Sequence, residues 1–378
     1  MLQKAAVKRQ KASKVVETDL GLIDLPYLLL TLLLVSVGLI MLYSASFARA
    51  YHVTGNSASY FTSQLVFALA GVAVMLAVSR VPYEWYRKCS TLIFGITVAL
   101  LTAVLLVGTN VNGATRWINL GFTQFQPSEI AKFSLIVSLS ALMTKHQENI
   151  KSLRSFFACA CALLIVAALL ILEPHFSATV IVAALCFCMM VVGGVNRKYL
   201  GIVAAVGTAG LLAMLLAGGY TSDRITAWLN PEADPLDKGL QILQSEYAIG
   251  SGGLLGLGFG KGRQKYLYLP EEHNDYIFAI VCEELGFIGA VAILLLFAFL
   301  ILRGFWIAIH ARDRFSMLLA TGLTTLLALQ VVINVAVVTN LLPSTGISLP
   351  FFSSGGTALI MQLAECGIML NISRSISK

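Results

Sequence analysis

Three carboxylates and a histidine are crowded into segment 266–278, directly before a long apolar run. The carboxylates are Glu271, Glu272 and Asp275, and His273 lies among them. Like charges crowded at the edge of an apolar environment raise the pKa of a carboxyl group, as a general base working near neutral pH requires. An Asp placed just before a helix is also a common N-cap. The segment therefore predicts Asp275 as a helix cap, a catalytic base, or both.

A glycine-rich basic stretch, 250–265, precedes this cluster. Glycines allow backbone amides to approach an anion closely, and Lys261, Arg263 and Lys265 add positive charge. The spacing does not match the phosphate-binding loop of nucleotide-binding proteins, so no nucleotide is expected. The stretch predicts either a site for a lipid-linked phosphate or diphosphate, or a flexible loop.

A third candidate group combines Arg116 with Glu129 and Lys132 further along the chain. Glu129 and Lys132 are three residues apart and follow Pro127, a residue typical of a helix start, so they share a helix face and can pair. Ionisable groups at membrane depth usually mark a functional site, and a structural ion pair is the alternative. Arg116 supplies a second cation nearby, which favours function.

The composition indicates that these residues belong to a membrane protein. Of the 378 residues, 58% are hydrophobic and 12% charged, and the mean hydropathy is +0.83. About 20 apolar residues cross a bilayer core as a helix, so the chain is expected to be a polytopic membrane protein. The net charge of +7 comes mostly from loops on one side, so no nucleic-acid partner is expected. The seven cysteines lie in or beside apolar runs and are expected to be core residues.

We expect an all-α protein with ten transmembrane helices. The apolar runs are 25–46, 60–79, 89–108, 128–144, 156–172, 176–194, 199–217, 276–302, 316–339 and 357–372. Residues 1–24 would form a basic tail without a cleavable signal, 25–372 a single membrane domain and 373–378 a second tail. Eighteen basic residues lie on the N-terminal side against seven on the other, which places both termini in the cytoplasm. Seven crossings then put the large loop 218–274, between spans seven and eight, outside with Asp275.

Several motifs follow one another along the chain. They are Arg116-Trp-Ile, Gln126-Pro-Ser-Glu with Lys132, Gln241 to Gly253, Tyr268-Leu-Pro-Glu with His273-Asn-Asp-Tyr-Ile-Phe, Glu283-Glu-Leu-Gly, and Leu342-Pro-Ser-Thr-Gly with Leu349-Pro-Phe-Phe-Ser353. Together they resemble the SEDS family (shape, elongation, division and sporulation), in order, from the first span to the C-terminus. Segment 38–46 and the basic N-terminus are most similar to the division and sporulation branch (FtsW, SpoVE), with the elongation branch (RodA) close.

The resemblance implies a peptidoglycan glycosyltransferase that polymerises lipid II, an undecaprenyl-pyrophosphate-linked disaccharide peptide, at the outer face of the bacterial cytoplasmic membrane. Implied partners are a class B penicillin-binding transpeptidase and other membrane proteins of the division or elongation machinery. The family's essential acid corresponds to Asp275. Mg²⁺ or Mn²⁺ would assist, with Asp275 and Glu272 as candidate ligands. The implied substrate-binding residues are Arg116, Trp117, Glu129, Lys132, Lys261, Arg263, Lys265, Glu271, His273 and Ser353.

Three positions, Ser63, His175 and Ser354, depart from the family's pattern. They leave the base in place and bear on contacts with substrate or partner. Two functions of other classes compete with polymerisation: a lipid II flippase and a non-catalytic scaffold for the transpeptidase. A flippase should carry polar residues on both membrane faces or through the middle, whereas the polar motifs here concentrate in the loops expected outside. This distribution favours the polymerase.

Overall fold

A computed structural model describes residues 21–111, 114–119, 121, 124–216, 220–237 and 239–376. Most of the basic N-terminal tail, Lys238 and the last two residues lie outside these ranges. The helices of the described part are α1 (Leu25–Thr54), α2 (Ser59–Val78), α3 (Glu84–Lys88), α4 (Ser90–Val107), α5 (Pro127–Lys145), α6 (Leu153–Leu172), α7 (Phe176–Val192), α8 (Arg197–Leu216), α9 (Tyr220–Leu229), α10 (Leu240–Gly252), α11 (Ile277–Ile309), α12 (Arg314–Val338) and α13 (Gly356–Arg374).

Each of the ten predicted apolar runs coincides with a long helix. The reason is that a helix pairs all of its backbone groups internally, which an apolar surrounding demands. Within the described ranges, seven helices are long and apolar enough to cross a membrane: α1, α2, α4, α6, α11, α12 and α13. Helix α7 is apolar but shorter. The chain is therefore a multi-pass membrane protein, and the full count of ten spans stays a prediction.

A small antiparallel sheet departs from the all-α prediction. Its strands are β1 (Thr109–Val111), β2 (Ala114–Asn119) and β3 (Gln124–Phe125), in the order β1-β2-β3. Strand β2 pairs with β3 through Ile118 opposite Phe125. The prediction of an all-α fold holds for most of the described residues and is incomplete here, because the Thr-Arg-Trp-Ile run of β2 contains β-branched and aromatic residues that favour an extended backbone. The sheet leads directly into α5, the helix of Glu129 and Lys132.

The large loop between α8 and α11 is also structured. It contains α9, a 3₁₀ turn at Pro231–Ala233, and α10, and then the glycine-rich stretch. That stretch docks into a break in α11 at Gly286, whose backbone is non-helical (φ 66°, ψ −171°). The break frees peptide groups on both sides of it for hydrogen bonds with the loop.

Four backbone hydrogen bonds fasten the loop to this break. The N–H groups of Leu257 and Gly258 donate to the carbonyls of Glu283 and Glu284, each at 3.0 Å. In return, the N–H groups that follow the break, at 287 and 288, donate to the carbonyls at 253 and 254. A Cβ added at Gly256 would lie 2.1 Å from the carbonyl oxygen of Glu284. The glycines are thus needed for close approach to α11, and the prediction of a flexible loop is wrong.

Candidate active site

Asp275 lies in the turn that enters α11, and its side chain does not cap that helix. The N-cap position is Tyr276, and no side chain makes a capping hydrogen bond there. The prediction that Asp275 is a helix cap is therefore wrong. Its carboxylate instead faces the loop between α12 and α13, 341–355, which is predicted to lie outside and is named the last outer loop for that reason. Ser348 hydrogen-bonds to the carboxylate, and a Cβ on Gly346 would be 3.3 Å from Oδ2.

The surroundings of Asp275 favour its neutral form. Burial raises the pKa of this carboxyl group to about 6, and the negative charge of Glu271 acts in the same direction. Arg224, His273 and the hydrogen bond from Ser348 act in the opposite direction. A carboxylate with a pKa about one unit below neutral is ionised in most molecules at pH 7 and yet basic enough to accept a proton from a hydroxyl group.

Two other parts of the chain hold the turn of Asp275 in place. The side-chain amide of Asn334, on α12, donates to the carbonyl of Asp275 at 2.8 Å and to that of Ile347 at 2.7 Å. The hydroxyl of Ser353 donates to the carbonyl of Asn274 at 2.7 Å and accepts a hydrogen bond from the N–H of Leu349 at 2.8 Å. Ser353, predicted to bind substrate, therefore joins the acidic turn to the last outer loop.

The side chains of the acidic cluster each make different contacts. Glu272 is fully buried and forms a two-point ion pair with Arg49 of α1, at 2.7 and 2.8 Å. Glu271 accepts a hydrogen bond from the side-chain amide of Asn274 at 2.6 Å. The ring of His273 packs edge-on against Tyr60, with centroids 4.8 Å apart. Asp275 is thus the member of the cluster whose carboxylate faces the last outer loop.

A cavity of about 440 Å³ opens beside this turn. It brings together four of the predicted site residues, and its lining includes Trp117, Glu129, Lys132, His273, His175, Asn274, Gly346, Ser348 and Ser354. Glu129 and Lys132 form the ion pair that their spacing predicts, at 2.7 Å. The volume is within the range of pockets that bind small ligands or parts of larger ones. Segment 346–348 connects the cavity with Asp275.

A second buried group lies at the turn between α6 and α7. Arg116 donates a hydrogen bond to the carbonyl of Pro174, and its charge acts on the neighbouring Glu173 and His175. Burial raises the pKa of Glu173 to about 7, an effect that Arg116 opposes. Burial, together with Arg116 and Lys132, lowers the pKa of His175 to about 3. His175 therefore presents a neutral ring to the cavity at pH 7.

The phosphate site predicted in the glycine-rich stretch is occupied by the protein's own carboxylates. Lys265 is buried and pairs with Glu284 at 2.7 Å, and it also donates to Ser44 of α1 at 3.0 Å. The N–H groups of Arg263 and Gln264 donate to the carboxylate of Glu283, and that of Gly260 donates to Glu284. The prediction that Lys265 and these amides hold a substrate anion is therefore wrong.

The two remaining cations of this stretch lie at the surface of the protein. The side chains of Lys261 and Arg263 are exposed and do not line the cavity. Their predicted contact with substrate is thus not at the cavity beside Asp275. The partners of Glu283 and Glu284 could not be located from the sequence. These two carboxylates contact residues about 20 positions earlier in the chain, and Glu284 also contacts Ser44 of α1.

The side chains present do not form a metal site. Among the described residues, no group of three or more His, Cys, Asp and Glu side chains could hold a metal ion. Glu272, a predicted ligand, has both carboxylate oxygens engaged by Arg49. Carboxylate oxygens are the donors that Mg²⁺ and Mn²⁺ prefer, and among the described residues Asp275 is not part of a group of three or more such side chains. The described side chains therefore do not by themselves provide a set of ligands for the expected cation.

Sequence reasoning missed three contributors to the site. Arg224, on α9, acts on Asp275 from the large loop. Gln64, on α2, donates to the carbonyl of Ser353 at 3.2 Å and accepts from the N–H of Gly355 at 3.1 Å. Asn334 holds Asp275 from within an apolar helix. A polar amide inside an apolar run is a signal that could have indicated Gln64 and Asn334.

Comparisons with known proteins agree on one family. A model of the FtsW, RodA and SpoVE family, described as cell cycle proteins, matches residues 25–378. Stage V sporulation protein E of Bacillus subtilis is 42% identical over 354 residues, covering 93% of this chain and 97% of the relative. A probable peptidoglycan glycosyltransferase FtsW of Trichlorobacter lovleyi is 38% identical over 356 residues, covering 93% of each chain.

Two solved structures share the fold. One comes from work described as structural coordination of polymerization and crosslinking by a peptidoglycan synthase complex; it superposes with a TM-score of 0.77 at 27% identity, covering 93% of this chain and 98% of that one. The rod shape determining protein RodA of Thermus thermophilus superposes with a TM-score of 0.70 at 26% identity, covering 94% of this chain and 98% of that one.

Proposed function

The chain belongs to the FtsW, RodA and SpoVE family of cell cycle proteins, and from this membership we propose that it is a peptidoglycan glycosyltransferase. It polymerises lipid II into β-1,4-linked glycan strands at the outer face of the cytoplasmic membrane. Asp275 is the general base. The observation that carries the proposal is the partly buried carboxylate of Asp275, with a pKa raised to about 6, next to a cavity lined by Lys132 and His273.

The chemistry is a single displacement. Asp275 removes the proton from the 4-hydroxyl group of one lipid II as its oxygen attacks the anomeric carbon of the growing strand. A new glycosidic bond forms, the bond to the lipid diphosphate breaks, and the diphosphate leaves with the electron pair. Lys132, and Arg116 nearby, supply positive charge for this leaving group. An Mg²⁺ or Mn²⁺ ion, in our proposal, arrives bound to the substrate's diphosphate.

One carboxylate in a single displacement leads to inversion at the anomeric carbon, so an α-linked donor gives a β-linked product. A retaining mechanism needs a second carboxylate placed as nucleophile. The neighbouring carboxylates have other contacts: Glu272 pairs with Arg49, and Glu271 accepts from Asn274. These contacts support the inverting mechanism.

The biological setting follows from the relatives. Identities of 42% to a sporulation protein and 38% to FtsW, against 26% to the solved RodA, support a role in cell division or sporulation rather than elongation. The proposed partners are a class B penicillin-binding transpeptidase and other membrane proteins of the division machinery. The proposed topology has ten spans, with both termini in the cytoplasm and the large loop outside.

The test is polymerisation of lipid II by the purified protein reconstituted with its transpeptidase. We expect Asp275→Asn and Asp275→Ala to abolish glycan synthesis while folding and partner binding are kept. Asp275→Glu should retain little activity, because a carboxylate shifted by about 1.5 Å loses its alignment with the hydroxyl group. Asp237→Asn, which changes an exposed carboxylate of the same large loop, is the matched control and should polymerise normally.

The assay separates the three functions considered. Undiminished polymerisation by Asp275→Ala would overturn the proposed mechanism. A wild-type protein that moves lipid II across vesicles but makes no glycan would indicate a flippase. A protein that does neither, yet binds the transpeptidase, would indicate a scaffold.

A further inference from the structure

An exposed apolar surface lies where the glycine-rich stretch meets the break in α11. We name this set of five side chains the apolar patch; each is at least half exposed, and they are Leu254, Leu255, Phe259, Phe287 and Ile288. Hydrogen bonds of 2.9 and 3.2 Å join the N–H groups at 287 and 288 to the carbonyls at 253 and 254, so the two parts of the patch are neighbours. An exposed apolar group of this kind marks a surface that contacts a membrane or another molecule.

Two exposed cations, Lys261 and Arg263, lie on the same stretch. A Cβ added at Gly262, between them, would lie 2.7 Å from Oε2 of the buried Glu283. Gly262 is itself buried, whereas its two neighbours are exposed, so the stretch turns its glycine inward and its cations outward. The N–H group of Arg263 donates to the carboxylate of Glu283 at 2.7 Å, so the backbone that carries both cations is fastened to α11.

The exposed charge of this part of the chain is positive. The sequence contains no Asp or Glu between Glu246 and Glu271. The carboxylates that face the stretch, Glu283 and Glu284, are buried behind it, where backbone amides and the buried Lys265 bind them. The surface formed by the two exposed cations and the apolar patch is therefore complementary to a partner that is both anionic and apolar.

The length of α11 indicates where this surface lies relative to the membrane. From the break to Ile309 the helix extends by about 34 Å, at a rise of 1.5 Å per residue, and a hydrocarbon core is about 30 Å thick. In the proposed topology α11 begins outside, so the break lies at the outer edge of this core. Tyr266 and Tyr268, which are exposed just beyond the cations, are of a residue type enriched at that level.

We propose that the apolar patch, together with Lys261 and Arg263, is a binding surface for anionic phospholipids of the outer leaflet. The apolar side chains contact the upper part of the acyl chains, and the two cations bind the headgroup phosphates. The inference rests on the proposed topology and is independent of the proposed glycosyltransferase activity. Such binding would hold the glycine-rich part of the large loop at the membrane surface.

The first experiment measures depth in nanodiscs that contain the full-length protein. In a variant without native cysteines, a fluorophore on Leu255→Cys should be quenched strongly by phospholipids brominated on their acyl chains. Leu236→Cys is the matched control, because Leu236 is 85% exposed in the same large loop but lies between Asp234 and Asp237. We expect much weaker quenching at 236. Equal quenching at the two positions would overturn the inference.

The second experiment tests the charge of the bound lipid. Brominated phosphatidylglycerol is added in increasing fractions to nanodiscs of unbrominated phosphatidylcholine, and quenching of the fluorophore at 255 is followed. We expect Lys261→Gln combined with Arg263→Gln to raise the midpoint of quenching about fivefold or more, because one cation near a membrane surface strengthens anion binding roughly fivefold.

The matched control for charge is Lys261→Arg combined with Arg263→Lys, which keeps both cations and should keep the original midpoint. With brominated phosphatidylcholine alone, both double variants should be quenched as strongly as the parent, because the apolar patch is unchanged. A midpoint that does not depend on the two cations would overturn the inference.

The measurements also distinguish the phospholipid from other occupants. No lipid II is added, so a selective response to phosphatidylglycerol indicates a phospholipid site. A response confined to added undecaprenyl diphosphate would assign the cations to the substrate and overturn the inference. Shielding of position 255 by the transpeptidase, without quenching by lipid, would identify a protein interface and overturn it as well. Neither experiment measures polymerisation, so the role of Asp275 stands or falls separately.

Discussion

The surroundings of Asp275 disfavour its charged form, so the ionised side chain should lower the free energy of unfolding. Its pKa, raised by burial to about 6, is about two units above that of an Asp in an unfolded chain. A folded-state pKa above the unfolded value gives stability that is present below about pH 4 and is lost as the pH rises through about 6. At roughly 1.4 kcal/mol per unit, the loss is on the order of 2–3 kcal/mol.

We therefore expect Asp275→Asn to be inactive and yet more stable than the wild type at pH 8. Its advantage should shrink as the pH is lowered towards 4, where the wild-type carboxyl group is also neutral. Thermal unfolding of the purified protein in detergent at both pH values measures this. Asp237→Asn, at an exposed site, should show no such gain. An equal or lower Tm for Asp275→Asn at pH 8 would contradict the prediction.

At the scale of single residues, sequence reasoning succeeded where partners are close along the chain. The pairing of Glu129 with Lys132 follows from helix geometry and is confirmed, whereas the role of Asp275, predicted from crowding and resemblance, stays a prediction. It failed for Lys265, because Glu284 and Ser44 come from two other helices. No local pattern reveals such partners.

At the scale of elements, the break in α11 decides how the glycine-rich stretch is placed. The end of α10 enters this contact, since a Cβ at Gly252 would lie 2.1 Å from the carbonyl oxygen of Cys282. In the same helix, a Cβ at Gly250 would meet nothing within 4 Å. The two glycines therefore form a matched pair for substitution.

We expect Gly252→Ala to lower the free energy of unfolding by about 1–3 kcal/mol, because backbone atoms must move to admit the methyl group. Gly250→Ala should be neutral or stabilising by up to about 1 kcal/mol, because alanine favours the helix. Thermal or denaturant unfolding in detergent compares the two variants. Equal stabilities would show that α10 does not need this close approach.

The positions of the helices could be predicted, because a long apolar run in a membrane must pair its backbone groups within itself and does so as a helix. The break at Gly286 could not be predicted, because a single glycine inside an apolar run is compatible with a continuous helix. The strands β1 to β3 were not predicted, because each is short and lies in a polar segment without a clear alternation of polar and apolar residues. Local sequence thus determines which segments are helical, while contacts between segments determine how they bend.

At the scale of the whole molecule, the charge distribution predicts opposite locations for two exposed loops. In the predicted ten-span topology, residues 148 and 236 are separated by three crossings, formed by α6, α7 and α8. In a variant without native cysteines, we expect Leu236→Cys to react with a membrane-impermeant maleimide in intact cells. Glu148→Cys should react only after the membrane is permeabilised. Reaction of both in intact cells would contradict the predicted span count or orientation.

The turn of Asp275 is fastened by groups from both ends of the chain: Arg49 near the beginning, and Ser353 and Ser354 near the end. A ribosome releases residues 353 and 354 long after residue 49. A nascent chain that ends before them thus lacks this part of the fastening of the turn, however many helices it has already inserted. A copy truncated before residue 353 would therefore keep Asp275 and lose contacts that hold its turn in place.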